Sequence, residues 1–405
     1  MTHPHRSSSV AMYVFVVGVL ASSLLAAAPA PRQVSAPPAE IVRDWKLAPF
    51  YEKCVLNEGF PIVASGKVDD RALLEADFLM TKMLAHKPEI RKGLIQTRTR
   101  FTIMAVSEMT TDVPEHSDLK PAKYWNRRAR GLGATKQRPS VSCGEENLLC
   151  LHGDPYGTEN ILIHEFGHAI HEMGLKIVDP TFDGRLNDAY QAAMKAGLWK
   201  GKYASTNRME YWAEGVQSWF DTNRENDHDH NHVNTRAEIK EYDAGLSKLL
   251  LEVFGDGTWR YQRPEQRSDA DKLHFKGFDR DKAPRFAWPK DVAGWTEKAL
   301  ADVKDQHANL GRVEFHKLKP GEAPPTTKAG GKANTLVIAN GGKQLIKVAW
   351  VDEKGKTHEQ GTVRGGFVTL RTTWGGHVFL ISDEAGKPLG YAVAGDSDGR
   401  VVVGE

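Results

Sequence analysis

The sequence predicts an α+β protein in two parts, a mainly helical body followed by a small C-terminal β-sandwich. Three observations predict it. Helical periodicity dominates the middle of the chain; the stretch KLKPGEAPPTTKAGGKA (317–333) interrupts it with Pro, Gly and Lys and no hydrophobic period; and from Leu336 the short β-leaning runs LVIA, IKVAWV, FVTL and HVFLIS follow one another, separated by turn residues. The 405 residues leave room for a body of a few hundred residues and one smaller module. The expected division is a leader over 1–28, a disordered spacer over 29–44, a helical domain over 45–316, a linker over 317–333 and the sandwich over 334–405.

The leader is expected because Arg6 lies in a polar start before an apolar run at 10–25, and Ala26 and Ala28 offer a small-residue cleavage site. The alternative is an uncleaved N-terminal anchor, since the run approaches spanning length. After cleavage no stable membrane insertion is expected, which places the chain outside the cytoplasm, secreted or periplasmic. The Ala- and Pro-rich stretch that follows reads as spacer.

Hydrophobic residues at 40% and charged ones at 26% exclude wholesale disorder. With 54 basic against 52 acidic side chains, no global field favours nucleic acid. Partners are therefore set by local sites. Of three cysteines, Cys143 and Cys150 share the segment SCGEENLLC, whose spacing suits a disulfide that leaves Cys54 unpaired. Three free thiols, or a structural metal site of Cys143, Cys150 and His152, are the alternatives.

Within the body, 69–87 carries acidic residues first, basic residues last and apolar residues at helical spacing, and 100–106 reads as a strand. Gly, Pro and basic residues over 111–147 predict loops that wall a site. Further helices are expected over 159–173, 186–196, 208–221 and 237–254.

The chemistry concentrates in ILIHEFGHAIHEMG. His164 and His168, four residues apart, project from one helix face and can hold one cation together, with Glu165 beside the site. A catalytic zinc needs a third protein ligand and one open position. His171 lies on the same helix where a metzincin carries Gly, and Gly174 stands where that pattern has its last His, so the third ligand is sought on another helix. YASTNRMEYWAEGVQSWFD supplies Glu210, with Glu214 one turn later as the expected acceptor for a ligand imidazole.

HEFGHA followed by YASTNRMEYWAE resembles the gluzincin metallopeptidases of the anthrax lethal factor type. That resemblance implies a zincin-like fold, one zinc ion on His164, His168 and Glu210, and Glu165 as general base. It also implies Tyr203 as transition-state hydrogen-bond donor, Asn207 as the motif asparagine and a peptide or protein substrate. His171 departs from it, since relatives carry Asp there. Two other functions stay open: a non-catalytic zinc-containing binding protein, and a zinc amidase acting on a cell-wall crosslink.

DHDHNH at 227–232 reads as a solvated loop, with a surface metal site as the alternative. Tyr124, Trp125, Arg127 and Arg128 either line the cleft or pack on the surface. The final domain resembles the von Hippel-Lindau β-domain over about 334–403, a family whose sandwich binds a hydroxyproline-bearing peptide. Trp350, Thr373 and His377 match or conservatively replace its pocket positions, whereas Gln360 stands for Tyr and Phe379 for Trp. A protein or peptide ligand is thus implied for this domain, with a structural appendage as the alternative.

Overall fold

The computed structural model describes, besides Met1, residues 32–120, 122–227, 229–293, 310–342, 344–363 and 368–404. The expected leader and the start of the spacer lie outside the described residues. The rest of the spacer is not disordered as expected. It forms helix α1 (Ala39–Trp45), because Ile41 and Trp45 are buried and the Trp45 indole donates to the Thr99 carbonyl at 3.1 Å.

The fold is mixed α+β. A hairpin of β1 (Lys53–Asn57) and β2 (Phe60–Ala64) turns through Glu58 and Gly59, both at positive φ. Strand β3 (Arg100–Met104) runs parallel to β2. Strand β4 (Gly131–Leu132) lies antiparallel to β5 (Ser140–Gly144) at the sheet edge, giving the order β1-β2-β3-β5-β4. Strand β5 corrects the expectation of loops over 111–147. Every residue of SVSCG is buried, so no polar–apolar alternation marks it as a strand.

Helices α2 (Asp70–Met83) and α3 (Glu89–Gln96) connect β2 to β3, and the short α4 (Ala122–Arg128) and α5 (Glu145–Leu148) flank the β4–β5 edge. Helix α6 (Ile161–Ala169) carries HEFGH and continues through a π-helical turn (Ile170–Leu175) into α7 (Lys176–Val178). Then come α8 (Phe182–Lys195) and α9 (Arg208–Trp219). The single helix expected over 237–254 is two, α10 (Arg236–Tyr242) and α11 (Ala244–Phe254). The break is Asp243, whose carboxylate caps α11 at Leu246 N and accepts from the Trp199 indole and the Tyr211 hydroxyl. A short α12 (Lys290–Ala293) ends the body.

One apolar core joins these pieces. Phe166 of α6 lies 5.8 Å from Phe60 and 6.4 Å from Phe101, fastening the helix to the sheet, while Trp212 of α9 packs on Phe182 and Phe254. Each such burial stabilises by roughly 1.5–3 kcal/mol. Helix α6 is thereby fixed between the sheet and α9. Among the described residues no helix is long and apolar enough to cross a membrane.

The C-terminal strands are β6 (Gly311–Arg312), β7 (His316–Lys317), β8 (Ala333–Asn340), β9 (Ile346–Val351), β10 (Thr357–Val363), β11 (Val368–Trp374), β12 (Val378–Asp383), β13 (Pro388–Val393) and β14 (Gly399–Val403). They make two sheets, ordered β10-β9-β12-β13-β7 and β11-β8-β14-β6, around one core that includes Leu336, Ile338, Val348, Ile381 and Val401. Strands β6 and β7 move the expected boundary, since residues counted with the body to 316 pair with β14 and β13. The expected linker is also pinned. Thr327 is buried, and its hydroxyl donates to Val351 O while accepting from the Trp350 indole and the Val378 amide.

Two buried polar features of the body give measurable consequences. Arg130 and Glu146, at 1% and 0% side-chain exposure, pair at 2.6 Å, and the guanidinium also donates to the carbonyls of Glu108 and Ala105. Removing one partner strands a charge, which costs about 3–5 kcal/mol, whereas removing both is often near neutral. Urea unfolding should therefore show Arg130→Met and Glu146→Leu each strongly destabilised and the double variant recovering most of the loss. His116 is 1% exposed, and burial lowers its pKa to about 4. Between that value and 6.5 the unfolded chain binds the extra proton, so acid favours unfolding by up to roughly 3 kcal/mol. Stability measured from pH 6.5 down to 4 should fall less steeply in His116→Leu.

Candidate metal centre

Helical spacing alone sets the first two donors. His164 Nε2 and His168 Nε2 face each other at 3.2 Å, and Glu210 Oε2 lies 3.3 Å from each. The three atoms come from α6 and α9, and both helix starts are fixed by side-chain caps. Asn160 accepts from Ile163 N, and Asn207 accepts from Met209 N and Glu210 N, so Asn207 sets the turn from which Glu210 projects. The helices meet closely because Gly167 lies between the histidines. A Cβ there would stand 3.3 Å from Val216, and the Gly167 carbonyl accepts the Trp212 indole N–H at 2.9 Å.

The residues fit a tetrahedral divalent ion. Metal–ligand bonds of about 2.0–2.1 Å imply ligand–ligand edges of about 3.3–3.4 Å, close to the triangle found. Glu210 Oε2 is buried and makes no hydrogen bond among the described residues, and two imidazole nitrogens 3.2 Å apart need a proton or a cation between them. In the metal-free chain the proton is held electrostatically. Burial opposes charge on His164, but Glu210, Glu165 and Glu214 raise its pKa well above the usual value. Burial likewise disfavours the Glu210 carboxylate, yet the two imidazoles hold its pKa well below the ordinary range.

Behind the triangle the structure corrects one expectation. His164 Nδ1 pairs with Gln217 Oε1 at 2.8 Å, while Glu214 Oε1 stays 3.6 Å away. Gln217 Nε2 donates to Glu159 Oε2, so its amide oxygen is turned toward the ring and leaves His164 Nε2 for the cation. Glu214 serves elsewhere, 3.2 Å from His230 Nε2 and accepting from Asn223 Nδ2 at 3.1 Å. Sequence reasoning missed Gln217; its position seven residues after Glu210, on the same helix face, was the signal.

Glu165 is half-buried beside His164, His168 and Arg128, and burial raises its pKa. Tyr203, in the short helical turn Tyr203–Ser205, stacks against His164 with ring centroids 6.4 Å apart. Burial, with Glu210 next, raises its phenol pKa well above normal and keeps it a proton donor. Arg128 of α4, left open by the sequence, lies beside Tyr203 and within electrostatic reach of Glu210. The edge strand and the residue after it pass directly over the site: a Cβ on Gly131 would stand 3.0 Å from Glu165 Cγ, and one on Gly133 3.0 Å from His168 Cβ.

His171 is fully buried and pairs with Asp183 at 2.9 Å. His171, Glu172 and Asp183 cluster closely enough to suggest a second cation site, but Lys176 and Arg208 already neutralise the carboxylates. Within 227–232, expected as a solvated loop, His230 is instead buried against Glu214, while Asp227 and His232 stay exposed.

The expected Cys143–Cys150 disulfide is absent; all three cysteines are free and buried. Cys143 sits in β5 opposite Ile103 and Gly131, whereas Cys150 follows α5 and turns its sulfur toward the Tyr261 hydroxyl at 3.9 Å. His152 pairs with Asp281, so no site forms with the two cysteines. In the C-terminal sheets Trp350 lies between His358 and His377, and Thr373 Oγ1 meets His377 Nδ1 at 3.0 Å. Phe379 is core, and Gln360 sits at a bulge of β10.

Gln217→Leu should weaken binding of added zinc about 10–100-fold and also lower the melting temperature, since it strands the buried His164 Nδ1 and Glu159. Glu214→Gln should weaken it far less. Chelator competition on the two variants checks the order, and the reverse order would restore Glu214 as the imidazole's partner. Set against known proteins, the chain matches no family model and no curated protein, so the reading of this centre rests on its own geometry.

Proposed function

We propose that the chain is an exported zinc-dependent metalloendopeptidase of the gluzincin type. Its body would be zincin-like, and its C-terminal part a β-sandwich resembling the von Hippel-Lindau β-domain. The observation that carries the reading is the triangle of His164 Nε2, His168 Nε2 and Glu210 Oε2, with Glu165 and Tyr203 bordering it. A sheet whose antiparallel edge lies over the HEFGH helix supports the fold assignment, as do two sheets closing on one core.

His164, His168 and Glu210 would hold the ion, and their partial exposure of 10–18% leaves an approach for solvent and substrate. When bound, zinc supplies Lewis acidity that makes water acidic near pH 7 and polarises a carbonyl. The Glu165 carboxylate would take the proton of the attacking water and deliver it to the departing amine nitrogen. The Tyr203 hydroxyl would donate to the oxygen on which charge develops, an interaction made only in the transition state. Arg128 beside the phenol would keep that side of the cleft cationic.

Zinc stoichiometry and cleavage of a diverse peptide library, measured on the purified full chain, test the reading. Glu165→Gln should keep zinc and lose about 10²–10⁴-fold in rate. Glu210→Ala should lose zinc. Tyr203→Phe should lower kcat by about 10²–10³-fold at unchanged KM. A fully active Glu165→Gln would overturn the assignment, and a zinc-loaded chain without turnover would favour the binding-protein reading.

A further inference from the structure

The histidine- and aspartate-rich segment behind the site has no role in the mechanism above, yet it is tied to both halves of the centre. Asp227 Oδ1 accepts from the amides of Asp229 and His230 at 2.7 and 2.8 Å and meets His230 Nδ1 at 2.9 Å, closing a tight turn. The other ring nitrogen of His230 reaches Glu214 Oε2 on α9 at 3.2 Å, with the side chain 4% exposed. In the opposite direction the Asp229 carbonyl accepts the Tyr203 amide at 2.8 Å, and the Asp227 carbonyl accepts Lys202 Nζ at 2.9 Å. Arg224 lies 3.4 Å from Asp227 and 3.8 Å from Asp229, so a cation already sits beside this acidic pair.

The turn carrying Tyr203 needs such a tether. It follows Gly197, Trp199 and Gly201, all at positive φ, and it is only three residues long before α9 begins at Arg208. Its own secondary structure cannot hold a phenol in register with a helix face. The strap spans that gap, with one end on Tyr203 and the other on the α9 residue one turn after Glu210.

We propose that His230 is a positioning residue that, through the strap formed by Asp227, Asp229 and His230, fixes the Tyr203 turn against α9 and so keeps the phenol aligned with the metal ligands. The proposal rests on the hydrolytic reading of this centre. Its energetic logic is orientation: misplacing a reacting group by about 1 Å can cost about 10²-fold in rate without weakening substrate binding.

The test uses the full chain loaded with zinc. His230→Leu should lower kcat about 10–10²-fold, leave KM within about twofold and leave zinc stoichiometry intact. Hydrogen exchange at the Tyr203 amide should accelerate, because its acceptor is on the strap. His230→Gln, which can still donate to Glu214, should restore most of both. In a Tyr203→Phe background His230→Leu should cost almost nothing further, since its effect passes through that phenol. Should His230→Leu not fold, Asp227→Ala opens the same turn from its exposed side and should give the same signature. Unchanged exchange at Tyr203, or an equal kcat loss in the Tyr203→Phe background, would overturn the proposal. If the wild-type chain hydrolyses nothing, the hydrolytic reading fails, and the exchange measurement still decides whether the strap holds the turn.

Discussion

Everything in the centre depends on how closely α6 and α9 cross. A helix face can present two imidazoles by itself, but the third donor arrives only if a second helix approaches within side-chain reach at the right rotation. Gly167 permits the approach, and the Trp212 indole bonded to the Gly167 carbonyl fixes it. The Trp212 ring is in turn held by Phe182 and Phe254, so the triangle inherits its geometry from the apolar core. A centre of polar atoms is thus positioned by hydrophobic packing, which is stiff because interiors are close-packed.

The polar groups around the triangle form layers with different duties. Gln217 and Glu159 orient His164, Asn207 orients Glu210, and Asp183 with Arg208 orients His171 behind them. Most of these buried polar groups are answered by a partner, as low dielectric requires, and Glu210 Oε2, at the triangle itself, is an exception. Charge is balanced locally: His230 sits between Asp227 and Glu214, and Arg224 lies near Glu159 and Asp229. The chain's near-zero net charge therefore hides strongly charged interior networks.

Much of this was legible in the order of residues, and the misses have physical causes. The four-residue spacing of His164 and His168 is local and periodic, so their shared helix face could be named, whereas Glu210 on a second helix was reached through the motif YASTNRMEYWAE. Glu214 was named because it lies one turn after Glu210 and Gln217 was passed over, since the rotation of α9 relative to α6 is a tertiary quantity that residue type does not encode. Strand β5 was missed because burial on both faces erases alternation, and the helix break at Asp243 because its reward is a pair of distant donors, Trp199 and Tyr211. The cysteine pair was misread since seven residues of separation say nothing of which way each sulfur points. The C-terminal strand runs were visible, whereas Thr327 looked like linker until its hydroxyl was seen joining Trp350 and Val378.

The three cysteines, each enclosed and unbridged, have one more implication. Burial lifts the Cys54 thiol to about 12 and the Cys150 thiol to about 11, and Cys143 lies higher than normal for the same cause. Thiolate, the species that alkylating agents attack, is therefore nearly lacking while the chain stays folded. These sulfurs act as silent probes of opening: the pace at which an alkylating reagent consumes them reads out how often this body comes apart, with no label to be introduced.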